Sequence, residues 1–157
     1  MMRAPLHLSI ASRYSERSNQ VGGYDMGPVN WLAVVLGAAA FFVVGMVWYG
    51  ALFGKVWQKQ VWPEGTPQMS GSPIVLFGLC FLAELVVSTM FGHMLARLQP
   101  PTHVIWMMAF GIGATIMTPA IAINYLFQRR SLTLFAIDAG HFIVGTLAMG
   151  AVFVALS

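Results

Sequence analysis

Charge is what this 157-residue sequence has least of: 8% of its residues are Asp, Glu, Lys or Arg, against 58% hydrophobic. A soluble domain carries about 25% charged residues, so this composition cannot cover a water-facing surface and the expected solvent is a lipid bilayer. Cys80 is the single cysteine, which excludes an intrachain disulfide and leaves the redox compartment unread; inside an apolar stretch it reads as a small buried side chain. The formal excess of three positive charges is scattered over the ends and connections. No basic patch could neutralise a row of phosphates, so nucleic acid is not an expected partner. There is no GxSxG elbow, no glycine-rich phosphate loop and no CxxC pair, and no helix would carry an HxxxH or ExxH ligand spacing. The residues call for no catalytic nucleophile, no metal and no cofactor.

What the chain does have is length without charge. Four apolar runs, Val29 to Phe53, Pro73 to Ala96, His103 to Phe127 and Leu132 to Leu156, contain no Lys or Arg. Each exceeds the about 20 residues a helix needs to cross ~30 Å of hydrocarbon. In lipid the backbone must satisfy its own hydrogen bonds, so such runs are helices. The expected fold is an all-α, integral membrane four-helix bundle with one longer and two short connections, occupying residues 29–157.

Residues 1–28 hold Arg3, Arg13 and Arg17 among serines and glycines, without an apolar segment of signal-peptide length. They read as a disordered tail, or as an over-long start with translation beginning at Met26. Orientation follows from basic residues, which hold short loops on the cytoplasmic side. Lys55 and Lys59 follow the first helix and Arg129 and Arg130 precede the fourth, whereas the other face has Arg97 once the tail is set aside. Both termini are therefore expected to be periplasmic. Trp31 and Trp106 mark one interface and Trp57, Trp62 and Tyr125 the other, as amphipathic rings prefer. In VWQKQVW, Val56, Trp57 and Val61 share a helical face, predicting a short interfacial helix that continues the first span.

The polar residues inside the runs are the candidate site. Asp138 and His141, in AIDAGH, are three residues apart and project from one face of the fourth helix. Gly145 and Ala148 continue that stripe, and small residues let another helix approach closely, so this face should look into the bundle. Glu84, in FLAELVV, is the other embedded carboxyl group and falls at a depth similar to His141. An acid at a helix centre costs roughly 2.5 to 3.5 kcal/mol, which a dozen large apolar residues offset. The expectation is a protonated Glu84, and an Asp138 that shares a proton with His141 or pairs with its charged form. On the third helix, Thr115 and Thr118 share a stripe with Gly111, and Pro119 leaves the Thr115 carbonyl without its usual donor, making a hinge. Asn124 points elsewhere and is expected to meet Tyr49 of the first helix. Gly37, Gly45, Gly50 and Gly54 read as packing notches, the last two forming a GxxxG pair suited to a dimer.

The segments VNWLAVVLGAAAFFVVGMVWYGALFGKVWQK and AINYLFQRRSLTLFAIDAGHFIVGTLAMGAV resemble the bacterial membrane proteins catalogued as domain of unknown function 1761, a likeness that covers most of the chain after Met26. The resemblance implies four helices, with AINYLFQRRSL joining the last two, and a start near Met26. It also implies Asn as an alternative at the position of Asp138 and an aromatic residue at that of His141, so an ionisable pair is not a requirement of the fold. The expectation is a small non-enzymatic protein of a bacterial inner membrane, its partners the lipid bilayer and copies of itself, with intramembrane polar groups that stabilise helix contacts or self-association. The alternative is a proton-coupled small-molecule or ion transporter acting as an oligomer, in which Glu84, Asp138 and His141 carry protons.

Overall fold

The structure, a computed structural model, describes residues 28–65 and 71–157. The expectations for the N-terminal tail and for a start at Met26 lie outside the described residues. Among those described, the structured elements are helical. Four helices are long and apolar enough to cross a membrane: α1 (Trp31–Leu52), α3 (Pro73–Leu98), α4 (Thr102–Phe127) and α5 (Leu132–Ala155). The short α2 (Gly54–Val61) continues α1 after a break at Phe53. The spans match the apolar runs to within a few residues at each end, because the same absence of charge sets both.

Local chemistry sets the helix ends. Asn30 caps α1, its side chain accepting from the Ala33 backbone N–H, and Ser131 caps α5 by accepting from Leu134, each satisfying a donor that the first turn leaves orphaned. Pro73 opens α3, where the missing N–H costs nothing. Gln99 and Arg129 take positive φ values of 42° and 52° at the two short turns.

The helices pack in the order α3, α1, α5, α4. α5 is the most enclosed of the four spans and α3 the most open. Glycine notches set the close approaches. A Cβ on Gly37 would meet Ser88 Oγ at 2.9 Å, one on Gly113 would press on Thr146, and one on Gly150 would lie 2.6 Å from Ala109. Gly145 receives the Phe41 ring, confirming that the AIDAGH stripe faces protein. Large apolar side chains such as Ile74, Val86, Met107 and Phe127 point outward, as lipid-facing positions should.

The two ends of the bundle differ in chemistry. Towards the ends of the chain, Val34, Phe41, Phe91, Ala109, Met149 and Phe153 form a dry core, and Ser88 Oγ donates to the Val34 carbonyl at 2.7 Å. Asn30 Nδ2 donates to the Leu156 carbonyl, tying the start of α1 to the end of α5. Towards the α1–α2 break and the turn before α5, the interior holds the buried Asp138 and His141 and an open space lined by α1, α3 and α5.

Candidate functional site

Asp138 sits six residues into α5, buried, with its carboxylate aimed back towards α1, α2 and α4. Three donors converge on it from these three elements. The Tyr49 hydroxyl donates to Oδ1 at 2.7 Å and Trp57 Nε1 donates to the same oxygen at 3.0 Å. The Tyr125 hydroxyl donates to Oδ2. One residue earlier, the Ile137 carbonyl accepts from Trp48 Nε1 at 2.9 Å. Ser131 Oγ donates to Gln60 Oε1, closing α2 onto the start of α5. A carboxylate offers about four acceptor positions, so three donors nearly saturate it.

The α1–α2 break makes this convergence geometrically available. The last turn of α1, Trp48–Leu52, is π-helical, and a π turn shifts the side-chain register of the residues that follow it. At Gly54 a Cβ would run into the Tyr49 carbonyl oxygen, so only glycine permits this tight junction. Trp48, Tyr49 and Trp57 thereby all face α5.

His141, one turn beyond Asp138 and 7% exposed, behaves differently. It lies among the rings of Phe41, Tyr49 and Phe142, with centroids 5.4, 5.0 and 5.1 Å away. Neither ring nitrogen meets a hydrogen-bond partner, and the same holds for Oε2 of Glu84. Both residues line one cavity of about 390 Å³ between α1, α3 and α5, together with Phe42, Met46, Tyr49, Phe77 and Cys80. The expectation that Asp138 shares a proton with His141 or pairs with its charged form is corrected: Asp138 is held by two tyrosines and a tryptophan, while the His141 nitrogens meet no partner and the ring lines the cavity. Glu84 and His141, expected only to lie at similar depth, prove to share a chamber.

Of the other predicted site residues, Tyr49 belongs to the centre, but its partner is Asp138 and not Asn124. Asn124 is exposed and donates to the Ala120 carbonyl of its own helix. Thr115 and Thr118 likewise donate to the carbonyls of Gly111 and Gly113; these bonds serve the π-helical turn Ile112–Met117 that precedes Pro119. Pro119 itself is exposed and touches neither the centre nor the cavity lining. Cys80, read as buried, is exposed. Trp57 and Tyr125 were read as interfacial rings and turn out to be ligands of the buried acid. Their polar tips were legible as donors, but the acceptor was not, because it lies on another helix. No group of three or more metal-ligating side chains occurs among the described residues.

This fold and this centre define a small polytopic helical membrane protein built around an intramembrane carboxylate. The family model described as protein of unknown function (DUF1761) matches residues 32–154, and the chain belongs to that family. Comparison with curated proteins and with solved structures found no match.

Proposed function

We propose that the chain is a non-enzymatic protein of a bacterial inner membrane that receives a small, largely apolar molecule in the chamber between α1, α3 and α5. The observation that carries this reading is the contrast between the two polar groups of α5. Asp138 is nearly saturated by donors from three elements and serves as the clasp of the bundle, in line with a structural role for intramembrane polar residues. His141 and Glu84 keep unpartnered polar atoms on a mostly apolar chamber, and buried polar atoms without partners are rare in settled structures. A chamber of this size with a few convergent polar groups is the usual form of a small-molecule site.

The test is a stabilisation screen of small, largely apolar molecules, charged and uncharged, against the full chain in lipid nanodiscs. Some should raise the unfolding temperature of the wild type and act far less on Gly50→Leu, which adds bulk on the chamber wall. If no molecule distinguishes the two proteins, the reading fails.

Proton-coupled transport by an oligomer is the second reading, favoured by a carboxyl group, Glu84, on the chamber wall. Four spans are few for alternating access, so this version needs at least a dimer. Crosslinking in membranes reads the oligomer. Flux into reconstituted vesicles, driven by a pH gradient and abolished by Glu84→Gln, reads the coupling.

A further inference from the structure

The chamber's wall chemistry is one-sided. Its polar edge consists of Glu84, whose Oε2 meets no donor, and of His141, whose ring nitrogens meet no partner. The Tyr49 hydroxyl, which could have served a ligand, is committed to Asp138. Among the described residues, no Lys or Arg lines the space. The remaining surface is ring, sulfur and glycine: Phe42, Tyr49 and Phe77 with Met46, Cys80, Gly45 and Gly50. Phe42 and Phe77 meet edge to face at 6.3 Å. Aromatic faces carry negative potential and attract organic cations, an attraction that grows when water is excluded. A carboxyl group that lacks a donor adds the same preference.

From this lining we propose that the occupant is a lipophilic organic cation, a quaternary or protonated amine bearing an apolar arm, whose charge pairs with Glu84 in its ionised form and whose arm lies among the rings beside a neutral His141. The inference rests on the binding reading above and names its ligand class. A bare metal ion does not fit, because among the described residues no three metal-ligating side chains come close enough together to hold one, and zinc or calcium takes four to eight ligands. An aminophospholipid headgroup does not fit either. Glu84 lies about 16 Å along α3 from Pro73 at ~1.5 Å per residue, near mid-membrane, whereas headgroups stay at the interface. Entry is lateral: Met46, Gly50 and Cys80, all on the chamber wall, are exposed, so the mouth opens between α1 and α3 where lipid would stand.

The experiment uses the full chain in phosphatidylcholine nanodiscs with two isosteric probes, radiolabelled benzyltrimethylammonium and the uncharged neopentylbenzene. The expected result is saturable binding of the cation, weakened tenfold or more by Glu84→Gln, with neopentylbenzene competing at least tenfold less well than unlabelled cation. Gly50→Leu, whose new Cβ meets no atom within 4 Å and which adds bulk on the chamber wall, should weaken binding tenfold or more while leaving Glu84 in place. That variant and the probe pair keep the test decisive if Glu84→Gln fails to assemble. Alkylation of Cys80 by N-ethylmaleimide gives a second readout, slowed severalfold by a bound occupant. Equal binding by Glu84→Gln, or equal competition by the two probes, overturns the cation. Protection of Cys80 by neopentylbenzene but not by benzyltrimethylammonium overturns the cation and leaves the binding reading standing. No saturable binding and no protection by either probe overturns both.

Discussion

The Tyr49 hydroxyl donates to Asp138 Oδ1 at 2.7 Å across 89 positions of sequence, while the ring of the same tyrosine stands edge-on to His141. One side chain thus closes the clasp and walls the chamber. The last turn of α1 is held to α5 by hydrogen bonds to Asp138 and Ile137, which ties the shape of the chamber to the integrity of the carboxylate centre.

Asp138→Asn should be mild, and Asp138→Ala severe. An asparagine oxygen in the place of Oδ1 still accepts from Tyr49 and Trp57, and its amide can donate to the Tyr125 oxygen once that hydroxyl turns from donor to acceptor. Alanine leaves three donors without an acceptor, each costing about 1 kcal/mol or more. Unfolding in mixed micelles should place Asp138→Asn within ~1 kcal/mol of wild type and Asp138→Ala about 2 to 4 kcal/mol below it. Equal losses would contradict this assignment. The Asn alternative implied by the family resemblance has a physical explanation in this geometry.

Tyr125→Phe probes the same centre through coupling. Removing the hydroxyl takes a donor from Oδ2 of Asp138 and should destabilise the wild type by roughly 1 to 2 kcal/mol. In the Asp138→Asn background the loss should shrink, because an amide–hydroxyl bond is neutral. A double-mutant cycle reads the difference; a coupling indistinguishable from zero would place Tyr125 outside the centre.

Trp57→Phe keeps the ring packing of α2 and removes the Nε1 donor to Asp138. The helix should detach more often from the membrane face. Tryptic cleavage after Lys55 and Lys59, both on its exposed side, should accelerate severalfold, with the spans intact in the cleaved product. An unchanged cleavage rate would mean that Gln60 and Ser131 hold α2 without help.

Gly145→Val should be among the most damaging apolar substitutions. The Phe41 ring occupies the place of the missing side chain, both elements are rigid helices, and overpacking of a filled interior costs typically 1 to 3 kcal/mol. Gly50→Val provides the contrast, since the same change there meets open space and should be far milder in an unfolding assay.

The basic residues of the connections make a topology prediction. The α1–α3 connection and the turn before α5 share one face, fixed by the bond between Ser131 and Gln60, while Asn30 and Leu156 meet at the other. Reporter fusions at the C-terminus should be active in the periplasm, and fusions at Arg129 in the cytoplasm, if Lys55, Lys59, Arg129 and Arg130 set the orientation. The reverse pattern would give the orientation to other residues.

Much of this architecture was legible because the relevant signals are local. Runs without charge mark the spans and the amphipathic VWQKQVW marks α2. The inward face of α5 was also legible, since Asp138, His141 and Gly145 fall on one stripe by helical spacing. Partnership was not. Tyr49 was assigned to Asn124 because regular helical geometry gives no warning of a π turn, and Trp57 and Tyr125 looked interfacial because a ring with a polar tip suits a membrane boundary as well as a buried acid. Thr115, Thr118 and Asn124 looked like site residues, yet each can satisfy itself on its own backbone, which the local sequence permits and only coordinates reveal.

Composition and run length alone make the chain helical, suited to a membrane and threaded four times through apolar length, because hydrocarbon leaves an unpaired backbone no alternative. That Asp138 is nearly saturated with donors while His141 meets none, although they stand one turn apart on the same helix face, depends on how the helices pack. A side chain's spacing fixes the direction in which it points, whereas the donors it meets belong to other helices, and those are set by the glycine notches and π turn that bring α1, α2 and α4 within hydrogen-bond reach.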